Sequence, residues 1–246
     1  MKFVVTAGPT REHLDPVRFL SNPSTGKMGF ALAAEAARRG HEVTLVAGPV
    51  ALKTPKGVRR VDVVSARDML AAVEKELGVA SGSGESGSSR DSRSSSFSRN
   101  SRGSRASSPR APETVLVATA AVADWRPAKC AAKKLKKGEM SPTLKLVRNP
   151  DILKTVNRTI EQSNNRTIRL VGFAAETNDV LAEAVRKCRE KGLAFIVAND
   201  VTQRGCGFGT DTNQVTFVFP DGTLRRFPLM TKRMVARRII DESTRL

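Results

Sequence analysis

Tyrosine is absent from this chain, tryptophan occurs once, and aromatic residues make up 4% of its 246 residues. Binding to single-stranded nucleic acid depends on aromatic faces for stacking, so this scarcity disfavours nucleic acid as the partner. No apolar run approaches the roughly 18 residues of a membrane span, and no membrane association is expected. The N-terminus Met1-Lys2-Phe3-Val4-Val5-Thr6-Ala7 reads directly into a strand, without the apolar stretch of a signal peptide. The three cysteines Cys130, Cys188 and Cys206 have neither an even count nor ligand spacing, so neither a disulfide framework nor a zinc site is indicated. They read as reduced thiols of a cytoplasmic protein. His13 and His41 lie far apart and have no nucleophile beside them in sequence.

Acidic residues are also few: 24 Asp and Glu against 42 Lys and Arg, for a formal net charge of +18. An excess of this size points to an anionic partner. The charge is uneven. Residues 81–110 hold 14 Ser, 6 Arg, 4 Gly and a single large apolar side chain, Phe97. Such a stretch cannot bury enough surface to offset its ordering entropy and is expected to be disordered. An Arg–Ser tract suits RNA or phosphorylation, but the plainer reading is a solvated insertion in a surface loop, which costs little closure entropy. The 216 residues outside it still carry +14.

On either side of the insertion, strand and helix patterns alternate. Lys2–Thr6, Glu42–Ala47, Glu113–Thr119, Ile168–Phe173 and Leu193–Val197 read as apolar strands. Gly26–Arg39, Ala66–Leu77, a segment from Pro150 and Asp179–Lys191 read as helices, the first stopped by Gly40. Val215–Phe219 and Leu224–Phe227 flank Asp221-Gly222, the signal of a type I′ hairpin, and a last helix covers Thr231–Glu242. Apolar strands alternating with helices predict a Rossmann-like, doubly wound α/β fold: a mostly parallel sheet with a C-terminal antiparallel hairpin, in one domain over 1–246.

Ligands of such sheets bind beyond the C-terminal strand ends. After the first strand comes Gly8-Pro9-Thr10-Arg11-Glu12, and Ser24-Thr25-Gly26 then opens a helix whose first amides suit phosphate. The spacing is neither a Walker loop nor a dinucleotide fingerprint, which disfavours a dehydrogenase. The third strand leads to Ala120-Ala121-Val122-Ala123-Asp124, small residues that admit a ligand, followed by a carboxylate. Lys133-Lys134-Leu135-Lys136-Lys137 is an ordinary solvated surface when taken alone; beside a phosphate site it reads as a mobile cationic flap. Asn149 is expected to cap the helix that follows, with Asp151 in its first turn. Lys187 and Lys191 share one helix face.

In order and number these motifs resemble the phosphopantothenoylcysteine synthetase family, the ligases of coenzyme A biosynthesis. The match runs through Thr6-Ala7-Gly8-Pro9-Thr10-Arg11-Glu12, Asp15-Pro16-Val17-Arg18, Ser21-Asn22, Gly26-Lys27-Met28-Gly29 and Ala120-Ala121-Val122-Ala123-Asp124. It continues through Lys134-Leu135-Lys136-Lys137, Asn149-Pro150-Asp151-Ile152, Val171-Gly172-Phe173-Ala174-Ala175-Glu176 and Ala198-Asn199-Asp200-Val201. The resemblance implies that 4′-phosphopantothenate is activated by a nucleoside triphosphate to an acyl-nucleotide and condensed with L-cysteine. CTP is favoured because the motifs look like the bacterial form; ATP is the alternative. Mg2+ would arrive with the triphosphate, without a dedicated protein metal site.

By the same resemblance, Asn22 and Lys134 carry catalysis, Asn22 in turnover of the acyl-cytidylate and Lys134 in its formation. Ala118, Asp124, Lys134, Pro150, Asp151, Ile152, Leu153, Phe173, Lys187 and Lys191 match nucleotide-binding positions. Arg18, Asn22, Ala120 and Ala121 match the phosphopantothenate side, Arg18 reaching towards a partner subunit in a family of dimers. The chain starts at the ligase motif, so the resemblance implies a separate phosphopantothenoylcysteine decarboxylase. The insertion 81–110 has no counterpart in the family pattern.

Overall fold

The computed structural model describes residues 1–79, 113–136, 138, 143–163, 167–176, 180–200, 205–207 and 209–245; the expected disordered insertion lies outside them. Eight strands form one sheet in the order β13-β12-β10-β9-β6-β1-β4-β5. Six of these run parallel: β1 (Lys2–Ala7), β4 (Glu42–Ala47), β5 (Arg59–Asp62), β6 (Thr114–Ala118), β9 (Ile168–Glu176) and β10 (Phe195–Asp200). The last two, β12 (Val215–Val218) and β13 (Leu224–Arg226), are antiparallel. This is the Rossmann-like sheet expected from the alternation. Phe3 to Ala7 are buried without interruption, because helices cover both faces and leave no wet side.

Among the described residues five helices provide that cover: α1 (Lys27–Arg38), α2 (Ala66–Leu77), α3 (Ile152–Ser163), α4 (Val180–Glu190) and α5 (Lys232–Arg245). Phe30, Leu32, Ala33 and Ala36 of α1 and Val235, Ala236, Ile239 and Ile240 of α5 pack on one face. Met69 and Val73 of α2, Ile152, Leu153 and Val156 of α3, and Ala184 and Cys188 of α4 pack on the other. Burial there pushes the Cys188 thiol up to about 11, which keeps it protonated and unreactive at neutral pH. All three cysteines are unpaired.

Local signals account for most helix ends. Ser65 and Asp68 form a reciprocal capping box on α2. The Gly40 amide donates to Ala37 O at 2.9 Å and the His41 amide to Ala36 O at 3.2 Å, closing α1 around a left-handed glycine (φ +79°). The cap of α3 differs from expectation. Asp151, not Asn149, accepts the Lys154 amide at 3.0 Å, and α3 begins at Ile152. The Asn149 side chain instead donates to Ala123 O at 2.8 Å; a long-range contact has taken the amide that a local cap would have used.

The C-terminal hairpin is present, but its turn is not type I′. The Gly222 amide donates to Phe219 O, the Phe219 amide donates to Thr223 O, both at 3.0 Å, and Gly222 has φ +93°. This is a three-residue loop, with Pro220 at the position where its fixed φ suits a type I turn and Gly222 supplying the left-handed residue. Strands β9 and β10 also run further than their apolar patterns, pairing Asn199 with Ala175 and Asp200 with Glu176. Three short ladders have no periodicity to announce them: β2 (Arg11–His13) with β3 (Phe19–Ser21), β7 (Trp125–Pro127) with β8 (Leu146–Arg148), and β11 (Thr212–Asn213) with β14 (Met230–Thr231).

Candidate active site

Strand β1 lies between β4 and β6, so successive connections leave it in opposite directions and a crevice opens beyond its carboxyl end. The loops after β1 and β6 are stitched across that crevice. The Ala121 amide donates to Gly8 O at 2.9 Å and the Thr10 amide to Ala121 O at 3.3 Å. Buried hydroxyls do the rest: Thr6 Oγ1 accepts from the Ala120 amide at 3.2 Å and Thr10 Oγ1 from the Ala123 amide at 3.0 Å. Two glycines permit the close approach. A Cβ on Gly48 would stand 1.8 Å from Pro9 O, and one on Gly29 would stand 2.5 Å from Ala7 Cβ and 2.6 Å from Thr119 Oγ1. Gly29 thereby seats the first turn of α1 directly on the ends of β1 and β6. No side chain caps that helix at Gly26, and Met28 of its first turn lines the crevice, so the positive end of the α1 dipole stands beside it.

The crevice is a cleft of about 500 Å³. It is lined by Thr6, Asn22, Met28, Ala118 to Asp124, Asn149 to Leu153, Phe173, Ala174, Lys191, Asn199, Gly207, Asn213 and Lys232. Every site residue expected from the sequence lines it except Arg18, Lys134 and Lys187. Asn22 Nδ2 donates to Ala121 O at 3.1 Å and to Val122 O at 3.2 Å. Asp151 Oδ2 takes Lys191 Nζ at 2.8 Å. Burial pushes this carboxyl up, but the Lys191 and Lys154 contacts outweigh it and hold Asp151 below its ordinary pKa. It stays ionised, joining the start of α3 to the end of α4 across one wall of the cleft.

Of the remaining three, Lys187 sits four residues before Lys191 and pairs with Glu183 at 3.5 Å. Lys134 is exposed. Arg18 is committed within its own chain: its Nη2 donates to Asp15 Oδ2 at 2.6 Å and to Leu135 O at 2.7 Å. Asp15, fully buried, also accepts the amides of Val17 (2.9 Å), Arg18 (2.8 Å) and Leu135 (3.2 Å). Asp15 and Arg18 therefore clamp the base of the lysine segment beside Lys134, a role invisible in the spacing of either residue.

Burial raises the Asp15 carboxyl, but these amides and the Arg18 guanidinium overcome it and hold it well below the carboxylate range. The Arg38 and Arg39 guanidiniums similarly draw Glu35 down to about 2. For both groups the folded state releases its proton more readily than the unfolded chain. Their stabilisation is complete above about pH 5 and is lost as the pH falls through 4 towards the folded values. Asp15→Asn should shrink the acid-side loss in thermal midpoint between pH 6 and 4. For a nucleotide bound as the resemblance implies, it should also raise that nucleotide's KM about tenfold by freeing the lysine segment; an unchanged pH profile and KM would refute the clamp.

Lys232, Asn199 and Asn213 were not anticipated. Lys232, 7% exposed, donates to Gly207 O at 3.0 Å and Thr210 O at 2.6 Å. Burial, with the Lys27 charge nearby, pulls its ammonium below the ordinary lysine pKa. In sequence it is one more cation before an Arg-rich helix. Asn199 did stand in a quoted motif, at a strand end, which is the signal that would have found it. Among the described residues no group of three or more His, Cys, Asp or Glu could hold a metal ion, and no helix is long and apolar enough to cross a membrane.

The fold and the cleft together define a class: doubly wound α/β proteins that take their ligands across the carboxyl ends of a parallel sheet, beside an uncapped helix N-terminus. Within that class the chain belongs to the DNA/pantothenate metabolism flavoprotein C-terminal domain family, whose profile matches residues 1–81 and 104–246. The match leaves 82–103 uncovered, within the Ser/Arg-rich tract. The chain is 42% identical over 240 residues to the coenzyme A biosynthesis bifunctional protein CoaBC of Bacillus subtilis, covering 97% of this chain and 50% of that protein. It is 40% identical to the Escherichia coli K12 protein of the same name, covering 98% and 51%. The chain thus spans about half the length of the curated relatives it matches. The crystal structure of the C-terminal domain of CoaBC superposes with a TM-score of 0.70 at 36% identity, covering 98% of this chain and 92% of that one. A Streptococcus pneumoniae DNA/pantothenate metabolism flavoprotein, at 22% identity and TM-score 0.68, shares the fold.

Proposed function

We propose that this chain is a phosphopantothenate–cysteine ligase of coenzyme A biosynthesis. One observation carries the reading: a single cleft joins Asn22, Ala120 and Ala121, expected on the phosphopantothenate side, to Asp124, Pro150 to Leu153, Phe173 and Lys191, expected on the nucleotide side. The relatives' name, coenzyme A biosynthesis bifunctional protein, agrees with it. The carboxylate of 4′-phosphopantothenate attacks the α-phosphorus of the triphosphate and pyrophosphate leaves. The amine of L-cysteine then displaces the nucleoside monophosphate. Both steps call for positioning and charge neutralisation rather than a protein nucleophile. The N-terminus of α1 and the lysine segment offer the neutralisation, and small residues at 118–123 let the substrates approach the backbone. Mg2+ would enter on the triphosphate, whose own oxygens hold it, and would offset the charge on the leaving pyrophosphate.

CTP is the nucleotide we favour, in a cytoplasmic homodimer. The test is pyrophosphate release that depends on phosphopantothenate, with CTP and ATP compared side by side; no release with either would end the ligase reading. Lys134→Ala removes a cation from the segment clamped by Asp15 and Arg18. Formation of the acyl-nucleotide should fall about a hundredfold, measured as the single-turnover pyrophosphate burst. A full burst with slow amide formation would place Lys134 in the second step instead.

A further inference from the structure

At the edge of the cleft marked by Met28, one carboxylate faces two ammonium groups. Lys27, the first residue of α1, places Nζ 2.7 Å from Asp211 Oδ1 and 3.0 Å from Gly209 O. The two side chains are 184 positions apart in sequence. Their neighbours line the cleft: Met28 follows Lys27, and Gly207 and Asn213 stand on either side of the 209–211 stretch. Lys232 holds the same stretch from the start of α5. Its Nζ donates to Gly207 O and Thr210 O, and its amide donates to Asp211 O at 2.9 Å.

The charges are coupled across this corner. Contact with Lys27 draws the Asp211 carboxyl below its ordinary pKa; burial opposes this, and the Lys232 charge adds to it. In return, the Asp211 charge favours the protonated form of Lys232, which burial and the Lys27 charge disfavour. Helix α1 has neither a side-chain cap nor an acidic residue in its first turn, although its N-terminal end favours a negative charge. Asp211, from a distant segment, brings that charge to its first residue and offsets both lysines, as a bound anion would. Its hold is loose. The Asp211 side chain is 86% exposed and that of Lys27 is 35% exposed, and an ion pair so open to water is weak. A multiply charged anion can displace it.

Resting on the ligase reading, in which a triphosphate is held and pyrophosphate released, we infer that Asp211 is an internal competitor of polyphosphate: it occupies Lys27 while the cleft is empty and yields it when phosphate binds. The apparent affinity for phosphate is then lowered by the fraction of molecules in which Lys27 is committed to Asp211. The carboxylate returns to Lys27 as pyrophosphate departs. This differs from a pair that only braces the fold. Loss of either partner of a brace shifts binding in the same direction, whereas loss of a competitor and loss of its target shift it in opposite directions.

The experiment titrates inorganic pyrophosphate into the full chain by calorimetry, for wild type, Asp211→Asn, Asp211→Glu, Lys27→Met and the double variant Asp211→Asn with Lys27→Met. Asp211→Asn should tighten pyrophosphate binding about fivefold, and Lys27→Met should weaken it about fivefold. Asp211→Glu, which keeps the carboxylate, should stay within about twofold of wild type. The double variant should match Lys27→Met within about twofold, because the target of the competition is gone. Binding by Asp211→Asn that is unchanged or weaker than wild type would overturn the inference. So would a gain from Asp211→Asn that persists in full without Lys27, or no measurable binding to any of the chains. If Lys27→Met melts early, the direction of the Asp211→Asn shift, with Asp211→Glu as its control, decides. Absence of phosphopantothenate-dependent pyrophosphate release in the wild-type chain is a separate result, which refutes the ligase reading and leaves the calorimetric signs to judge the competitor.

Discussion

Asn22→Asp is expected to slow turnover about a hundredfold or more while the acyl-nucleotide accumulates. The Asn22 side chain spends both donor positions on the floor of the cleft, at 3.1 Å from Ala121 O and 3.2 Å from Val122 O. Aspartate is nearly isosteric, but its ionised carboxylate has no donor, so two acceptors would face two acceptors. The Ala121–Val122 backbone then shifts or loses its orientation. In the proposed reaction the first step depends chiefly on charge at the triphosphate, and the second on holding the acyl group where the amine reaches it. Quenched-flow separation of acyl-nucleotide from product reads both steps in one experiment. Mild, equal losses in the two steps, without accumulation, would remove Asn22 from the role proposed for it.

Gly29→Ala is the second large effect, and it acts through packing. A methyl group here would lie 2.5 Å from Ala7 Cβ, 2.6 Å from Thr119 Oγ1 and 3.0 Å from Thr6 O. None of these neighbours is the tip of a flexible side chain, so α1 itself has to move off the strand ends. Overpacking of this kind costs about 1–3 kcal/mol, or a fall in thermal midpoint of roughly 2–12 °C for a domain of this size. The uncapped first turn of α1 moves with it, so kcat/KM should drop at least about tenfold, beyond what the lost stability explains. A variant that melts lower but keeps full activity below its midpoint would separate the helix N-terminus from the chemistry.

How far these arguments were available before folding differs from residue to residue. The Ala120–Asp124 and Asn149–Ile152 segments announced themselves because strand ends and helix starts carry local signals: small residues after an apolar run, and Asn or Asp before a helix. The assignment of the α3 cap still failed by two residues. Asn149 and Asp151 are equivalent as local caps, and the choice was made by Ala123 O, which is 26 positions from Asn149 in sequence. The contacts of Arg18 reach further still: its guanidinium donates to Asp15 and to Leu135, 117 positions away. Asn213 and Lys232 had no signal at all. They stand in short segments after the last parallel strand, and only the return of the chain along α5 brings them back to the cleft.

The sequence by itself determined the alternation of strand and helix, the burial of both sheet faces and the place of the ligand loops, because periodicity and turn chemistry act over a few residues. It also divided the +18 into a Ser/Arg tract and a basic body. The tertiary structure alone decided which cations reach the cleft and which acidic residue clamps the lysine segment. Those are contacts between segments tens to more than a hundred residues apart, and no local preference encodes them.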